Sequence, residues 1–269
     1  MLLSVLQANA VVLDIEANLK TVDLAAQRAA AAGAALLLTP ELFPLGYAPL
    51  RIHDEFDPAT LPSIRQRFAD IASTHGIGLI YSVPAPAVDG GWHISATLLD
   101  ARGAVLLDYA KVHLFGEEER KAFSAADAAP AVVDFNGVKT SLLICYDVEF
   151  PESVRAAATR GAELVLVPTA LSAGFDSVPQ VLIRARALES QLNVAYANHS
   201  GNEDGCDFLG GSVVAGPDGS LLAAAGDGPA LLFAEISTEA VREAREEVPY
   251  LRERRPELYR GWEDSARKG

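Results

Sequence analysis

The chain has 269 residues, half of them hydrophobic, with a formal net charge of −14 at pH 7. That length and apolar content suit one large domain or two small ones with an ample core. The acidic balance repels phosphate backbones and anionic lipid, which argues against nucleic acid or a membrane surface as a partner.

The first residues are apolar, and Ala8-Asn9-Ala10 resembles a signal-peptidase site. No basic segment precedes them and the apolar run is short, so the reading is a first core strand, Leu2–Gln7. Residues 15–32 read as an alanine-rich helix with Gly33 as its stop. A wholly apolar strand over 34–38, the pattern of a strand covered on both faces, runs into Thr39-Pro40-Glu41-Leu42-Phe43-Pro44. A second helix spans 58–75 and stops at Gly76. Strands over 77–83, 93–99 and 105–109 are separated by Gly90-Gly91 and Arg102-Gly103, which suggests hairpins. An irregular charged loop is expected over 111–127. Another hairpin, 131–135 with 138–144, turns at Asn136-Gly137. Past an elbow at Cys145 come a helix over 151–160, a strand over 163–167 and a helix over 178–192. Strands over 193–198, 211–215, 221–225 and 231–236 follow, with a turn at Pro217-Asp218-Gly219. A polar helix and tail, 238–269, close the chain.

Gly33-Ala-Ala-Leu-Leu-Leu-Thr-Pro40-Glu41 resembles Gly161-Ala-Glu-Leu-Val-Leu-Val-Pro168-Thr169, and each follows an alanine-rich helix. Two similar helix–strand units imply two similar sheet halves and a layered α/β architecture. Hairpins mixed with crossovers argue against an all-parallel sheet. No Gly/Ser linker divides the chain, which reads as a single domain over 1–269. No apolar run approaches the roughly 20 residues of a spanning helix. The two cysteines, Cys145 and Cys206, make no disulfide framework, so a cytoplasmic setting is the default.

Three residues stand where chemistry is expected. Cys145 ends the strand Thr140-Ser-Leu-Leu-Ile, and Pro151 opens the next helix, because proline is tolerated in a first helical turn. A cysteine at such an elbow points its sulfur out of the sheet's carboxyl edge, where open α/β folds bind ligands. A buried inert thiol is the competing reading. Glu41 should reach the same edge, ringed by Leu42, Phe43 and Pro44. A carboxylate in apolar surroundings has a raised pKa and serves as base, then acid; an exposed loop glutamate is the alternative. Lys111 closes the strand over 105–109. A lysine beside a thiol favours the thiolate and can hold the oxygen of a tetrahedral intermediate; otherwise it is one more surface lysine. A histidine base is conceivable at His113 or His199. Nothing in the sequence links either to Cys145, and these two, with His53 and His75, read as solvated or structural.

In this order the residues carry a resemblance to the nitrilase superfamily of carbon–nitrogen hydrolases. Pro40-Glu41-Leu42-Phe43 resembles the family's glutamate motif, Lys111-Val-His-Leu-Phe its lysine motif, and Cys145-Tyr-Asp-Val-Glu-Phe-Pro-Glu152 its cysteine elbow. Lesser matches are Arg186-Ala-Leu-Glu189, Asn198 with Gly201-Asn202, Gly210-Gly-Ser212 and the tail from Pro249 to Tyr259. The resemblance implies a four-layer αββα sandwich, two mixed β-sheets covered by helices, with a Glu41–Lys111–Cys145 triad. It also implies a second glutamate after the lysine. Glu117, Glu118 and Glu119 compete for that place, and Arg120-Lys-Ala-Phe123 behind Glu119 best matches the family spacing. Family members pack as dimers through elbow helices and tails, so a homodimer or higher homo-oligomer with residues from about 240 to 269 at the interface is expected.

The resemblance further implies an amidase that cleaves small carboxylic amides through a thioester on Cys145, with Lys111 and the Tyr146 N–H holding the oxyanion. Glu119 is expected to orient the amide nitrogen and to keep Lys111 in place. No metal or organic cofactor is required, and no metal-ligand spacing appears. Nitrilases of the family resemble one another in a tryptophan after the cysteine, where this chain has Tyr146-Asp147; the carbamoyl-hydrolysing members show a different elbow. Glu149 stands where relatives often carry arginine, which favours neutral amides over substrates with a carboxylate. Substrate contacts are expected from Tyr146, Thr169, Ala170 and the loop 171–175. A nitrilase, an N-carbamoyl amide hydrolase and a non-catalytic scaffold are the alternatives.

Overall fold

Residues 1–266 are described by a computed structural model; 267–269, the end of the expected tail, lie outside the described residues. The first strand, β1 (Leu2–Gln7), leads to α1 (Ile15–Ala31). The Asp14 side chain caps α1 by accepting from the Ala17 N–H at 3.0 Å. Leu19, Val22, Ala26 and Ala29 are buried along one stripe of α1, as the 3.6-residue period requires. The chain then crosses to β2 (Leu36–Leu38), passes α2 (Pro49–Glu55), and returns through α3 (Leu61–His75) to β3 (Gly78–Pro86). Gly76, at φ 63°, ends α3 in the left-handed conformation. β4 (Trp92–Leu99) and β5 (Val105–Ala110) complete an antiparallel meander, and α4 (Gly116–Ala122) follows.

The second half repeats the scheme. β6 (Val132–Phe135) and β7 (Val138–Leu142) form the expected hairpin, with Asn136 and Gly137 both at positive φ. A short turn, Cys145–Glu149, precedes α5 (Pro151–Thr159), β8 (Leu164–Pro168), α6 (Ile183–Ser190) and β9 (Asn193–Ala197). A small hairpin of β10 (Ser200–Glu203) and β11 (Cys206–Leu209) comes next. β12 (Val213–Ala215), β13 (Leu221–Ala224) and β14 (Ala230–Glu235) follow, and then α7 (Thr238–Glu247), α8 (Tyr250–Glu253) and α9 (Pro256–Ala266).

Two six-stranded sheets result, ordered β14-β1-β2-β3-β4-β5 and β13-β12-β9-β8-β7-β6. In each, three parallel strands sit in the middle (β1, β2, β3 and β7, β8, β9) and antiparallel strands flank them. β2 and β8 are the middle members of these trios, so the sequence echo marks equivalent places in two related sheets. Both are fully buried, as strands covered on two faces must be. The sheets pack face to face, with α1 and α3 outside one and α5 and α6 outside the other. This is the αββα sandwich expected.

Three elements depart from the sequence reading. The loop over 111–127 contains α4, and α2 and the β10–β11 hairpin were not anticipated. α2, α4 and β10 are short and mostly polar, with too few apolar residues to set a period, and β11 is only four residues long. Among the described residues, no helix is long and apolar enough to cross a membrane.

Candidate active site

Glu41, Lys111 and Cys145 each lie just past the end of a strand, β2, β5 and β7 respectively. The Glu41 segment is pinned from both sheets. Thr39 donates from its hydroxyl to the Ile80 carbonyl at 2.8 Å, and the Glu41 N–H donates to the Thr169 carbonyl of the other sheet at 3.2 Å. Leu42 then takes φ 50°, a left-handed conformation that costs an L-residue energy unless its surroundings hold it. The turn closes at Gly46, φ 71°, where a Cβ would stand 2.9 Å from the Val12 Cα; only glycine fits.

The carboxylates and the lysine form one buried cluster. Lys111 Nζ donates to Glu41 Oε1 at 2.7 Å and to Glu119 Oε1 at 2.6 Å, with the three side chains 0–1% exposed. Glu119 also accepts from the Tyr47 hydroxyl at 2.5 Å and, through Oε2, from the Phe115 N–H at 2.7 Å. Glu117 and Glu118 point to solvent. Helix α4 makes this selection, because it turns one face of Gly116–Ala122 inward and that face carries Glu119 and Ala122. Tyr47 was not singled out by the sequence reading. It follows the Glu41 motif on an irregular loop, and no periodicity marks it.

Cys145 sits at φ 45°, 5% exposed, at the head of its short turn. Its sulfur is 4.0 Å from the Ala170 carbonyl. The Tyr146 N–H belongs to the first turn, whose donors have no partner inside the turn. Asp147 fixes the elbow from within. One carboxylate oxygen accepts from the Tyr109 hydroxyl at 2.9 Å, and the other accepts from the His113 backbone N–H at 2.9 Å and meets His113 Nδ1 at 2.8 Å.

Burial governs the protonation of the cluster. It pushes Glu41 up to about 7, against the lowering effect of Lys111, and the Glu119 charge adds to the rise. Oε2 of Glu41 has no well-formed hydrogen bond, yet the Cys145 thiol is close enough to influence the carboxylate. Burial also drives the Cys145 thiol well above its usual range, Glu41 reinforces this, and Lys111 offsets only part of it. Lys111 acts on the thiol in the direction the sequence suggests, toward the thiolate, while burial and the two carboxylates act more strongly the other way. Lys111 itself is held above its usual range, because Glu41 and Glu119 overcome the effect of burial.

The expected substrate side is apolar and aromatic. Tyr146 meets Phe115 edge-on at 5.2 Å between ring centroids, and Phe150 at 4.9 Å. Phe175 meets Phe115 at 6.1 Å, and both of these rings are exposed. Thr169 is fully buried, with its hydroxyl toward the Val167 carbonyl at 3.4 Å; Ala170 lies beside the sulfur. The loop 171–175 is anchored at its start, because Asn198 accepts from the Leu171 N–H at 2.7 Å and donates to the Leu171 carbonyl at 3.0 Å. Arg186 donates to the Val148 carbonyl at 3.0 Å and the Glu149 carbonyl at 2.5 Å, bracing the segment behind the cysteine. The Glu149 carboxyl, half-buried, is held above its usual range by burial, with Arg186 and Lys111 opposing.

His113 stacks on Phe150 at 3.9 Å and turns its ring Nδ1 to Asp147. His113→Ala should therefore leave kcat/KM within about tenfold of wild type, since its backbone bond to Asp147 survives. A loss as deep as that of Glu41→Gln in the same steady-state assay would restore a histidine base.

A cysteine on a strained elbow, facing a lysine clasped by two glutamates between two mixed sheets, defines a class of hydrolase. The chain belongs to the carbon–nitrogen hydrolase family, whose model matches residues 2–246. Among solved structures, an amidase from Nesterenkonia sp. AN1 superposes with a TM-score of 0.91 at 46% identity, covering 97% of this chain and 99% of that one. In solved variants of that amidase, acrylamide and the acetamide moiety of fluoroacetamide are bonded to its active-site cysteine. Among curated relatives, the "hydrolase in pqqF 5′ region" of Pseudomonas protegens is 42% identical over 92% of this chain and 86% of its own length. The 2-oxoglutaramate amidase of Bacillus subtilis is 29% identical over 83% of this chain and 86% of its own length.

Proposed function

We propose that this chain is an amidase, hydrolysing small neutral carboxylic amides to acid and ammonia through a thioester on Cys145. The observation that carries the reading is the fully buried Lys111 ammonium shared by Glu41 and Glu119, with the Cys145 thiol beside Glu41. The amidases among the similar proteins support it.

Glu41, ionised, takes the Cys145 proton as the sulfur attacks the amide carbonyl carbon. The carbonyl electron pair moves onto oxygen, where the Lys111 ammonium and the Tyr146 N–H stabilise it. Collapse of this intermediate breaks the C–N bond, and Glu41 returns its proton to the departing ammonia. A water then gives a proton to Glu41 and attacks the thioester. The thiolate leaves, recovers the proton from Glu41, and the acid departs. Glu119 keeps Lys111 aimed, because its other contacts, Tyr47 and the Phe115 N–H, fix it in turn. No step calls for a metal or organic cofactor.

Acid-quenched intact-mass measurement during turnover of propionamide tests this directly. One acyl group on the peptide carrying Cys145 is expected; an unmodified cysteine during steady turnover would remove the thioester. Ammonia release from propionamide, with none from propionitrile, separates an amidase from a nitrilase.

Two further outcomes follow from the electrostatics. Glu41 must be ionised to act, and its value is raised to about 7. Activity should therefore rise with pH through about 7, and the kcat/KM profile should lose that limb in Glu41→Gln; a profile flat from pH 5 to 8 would contradict the assignment. The half-buried Glu149, close enough to Lys111 to feel its charge, disfavours a second carboxylate in the acyl group. Propionamide should exceed succinamate in kcat/KM by about tenfold or more. Equal rates would turn the specificity toward anionic amides such as 2-oxoglutaramate.

The same reading takes the whole chain as a single catalytic domain that pairs with a second copy. Tyr250 and Trp262, exposed on the tail, support a tail-to-tail homodimer, which light scattering of the purified protein would test. The two free cysteines fit a cytoplasmic setting.

A further inference from the structure

His199 follows β9, is fully buried, and takes no part in the proton transfers above. Phe43 and Phe208 pack against its ring, at 5.5 and 5.0 Å between centroids. Its Nε2 stands 2.6 Å from the main-chain carbonyl oxygen of Glu41, and its Nδ1 stands 2.7 Å from Glu203 Oε1. A carbonyl oxygen can only accept. Neutral imidazole has one N–H, so it could satisfy both neighbours only if Glu203 carried a proton and donated it. Glu203 is poorly placed for that. The Ala10 N–H donates to its Oε1 at 2.8 Å and the Tyr47 N–H to its Oε2 at 2.9 Å, a pattern that favours a carboxylate. Two acceptors on one ring then call for two N–H groups.

We infer that His199 is a permanently charged imidazolium, paired with Glu203, that clamps the Glu41 main chain and so positions the base of the amidase reaction. The clamp acts where the backbone is strained: the carbonyl it holds belongs to the peptide leading into Leu42, at φ 50°. Glu203 carries the effect to the other carboxylate, because it holds the Tyr47 N–H while the Tyr47 hydroxyl holds Glu119. One buried ion pair thus fixes the main chain behind Glu41 and the side chain behind Glu119. Glu203 and Glu41 are the charged groups acting on the ring; they outweigh burial and keep His199 above the usual histidine range, while Glu203 is held below the usual carboxylate range. His199 and Glu203 are positioning residues, and this inference rests on the amidase reading.

The test has a spectroscopic arm and a kinetic arm. In protein with ¹⁵N-labelled histidine, one ring should keep both N–H signals from about pH 6 to about pH 9, and that ring should vanish from the spectrum of His199→Gln. His199→Gln and Glu203→Gln should each lower kcat on propionamide by about 10- to 100-fold, with KM changed by less than about threefold, because misplacing a catalytic group costs turnover more than binding. The double variant should be little worse than either single one, as expected for two residues acting as one device. A ring with a single N–H at pH 7, or a His199→Gln enzyme within about threefold of wild-type kcat, overturns the inference. Should either variant fail to fold, the wild-type ring spectrum and the remaining variant decide. If the wild type releases ammonia from no amide, the amidase reading fails, and the spectrum still judges the buried imidazolium by itself.

Discussion

Lys111→Ala is expected to abolish measurable amide turnover and to lower the melting temperature in the same protein. The ammonium is wholly buried and bonded to two buried carboxylates, at 2.7 and 2.6 Å. Deleting one partner of a buried ionic cluster leaves uncompensated charge and costs about 3–5 kcal/mol. For a chain of this size that corresponds to a fall of roughly 6–20 °C in Tm. Loss of an oxyanion donor alone removes about 10²–10³ in kcat. The stability loss should shrink as pH falls. Lys111 is the influence that lowers Glu41, whose value is already raised to about 7. Without it the folded value rises further, so the unfavourable ionised form persists only at higher pH and protonation relieves it. Calorimetry at two pH values and an ammonia-release assay check both parts. An alanine variant with activity within tenfold of wild type, or with an unchanged Tm, would overturn the central place given to Lys111.

Glu41→Gln should separate activity from stability. In the proposed mechanism Glu41 is the general base of both half-reactions, so its removal should lower kcat by about 10²–10⁴. The glutamine carbonyl can still accept from Lys111, and Lys111 keeps Glu119 as its counter-ion. The fold should persist. A carboxyl raised in the folded state takes up a proton on folding between its ordinary value and about 7, so its ionised form works against the native state above that range. Glutamine removes this opposition. The variant should therefore melt no lower than wild type at pH 8, and any advantage should fade as pH drops below 6. A variant that melts much lower would mean that Glu41 serves the fold before it serves chemistry.

These two variants bear on what each level of description contributed. Several strands were legible because β1, β2, β8 and β9 are largely apolar runs, which a doubly covered sheet can bury. Glu41 was legible because it follows the apolar run of β2 at a turn, whereas Lys111 and Cys145 follow the mixed strands β5 and β7 and were picked out with it by the ordered family motifs. Helix α4 was not: Gly116–Ala122 is mostly charged, and its reason to coil lies in Glu119 reaching Lys111. The β10–β11 hairpin is polar on its first strand, and it places Glu203 beneath His199.

By itself, then, the sequence determined the two related sheet halves and marked the three strand-end residues, because hydrophobic runs and local turn chemistry depend on neighbours in the chain. The protonation of that site was decided by tertiary structure alone. Whether Cys145 rests as thiol or thiolate depends on the depth of burial and on Glu41 and Glu119, 104 and 26 positions away in the sequence. Lys111 looked in the sequence like the residue that would free a thiolate. The dry cluster around it raises the thiol instead, because desolvation and like charge add up over distances that a linear pattern does not record.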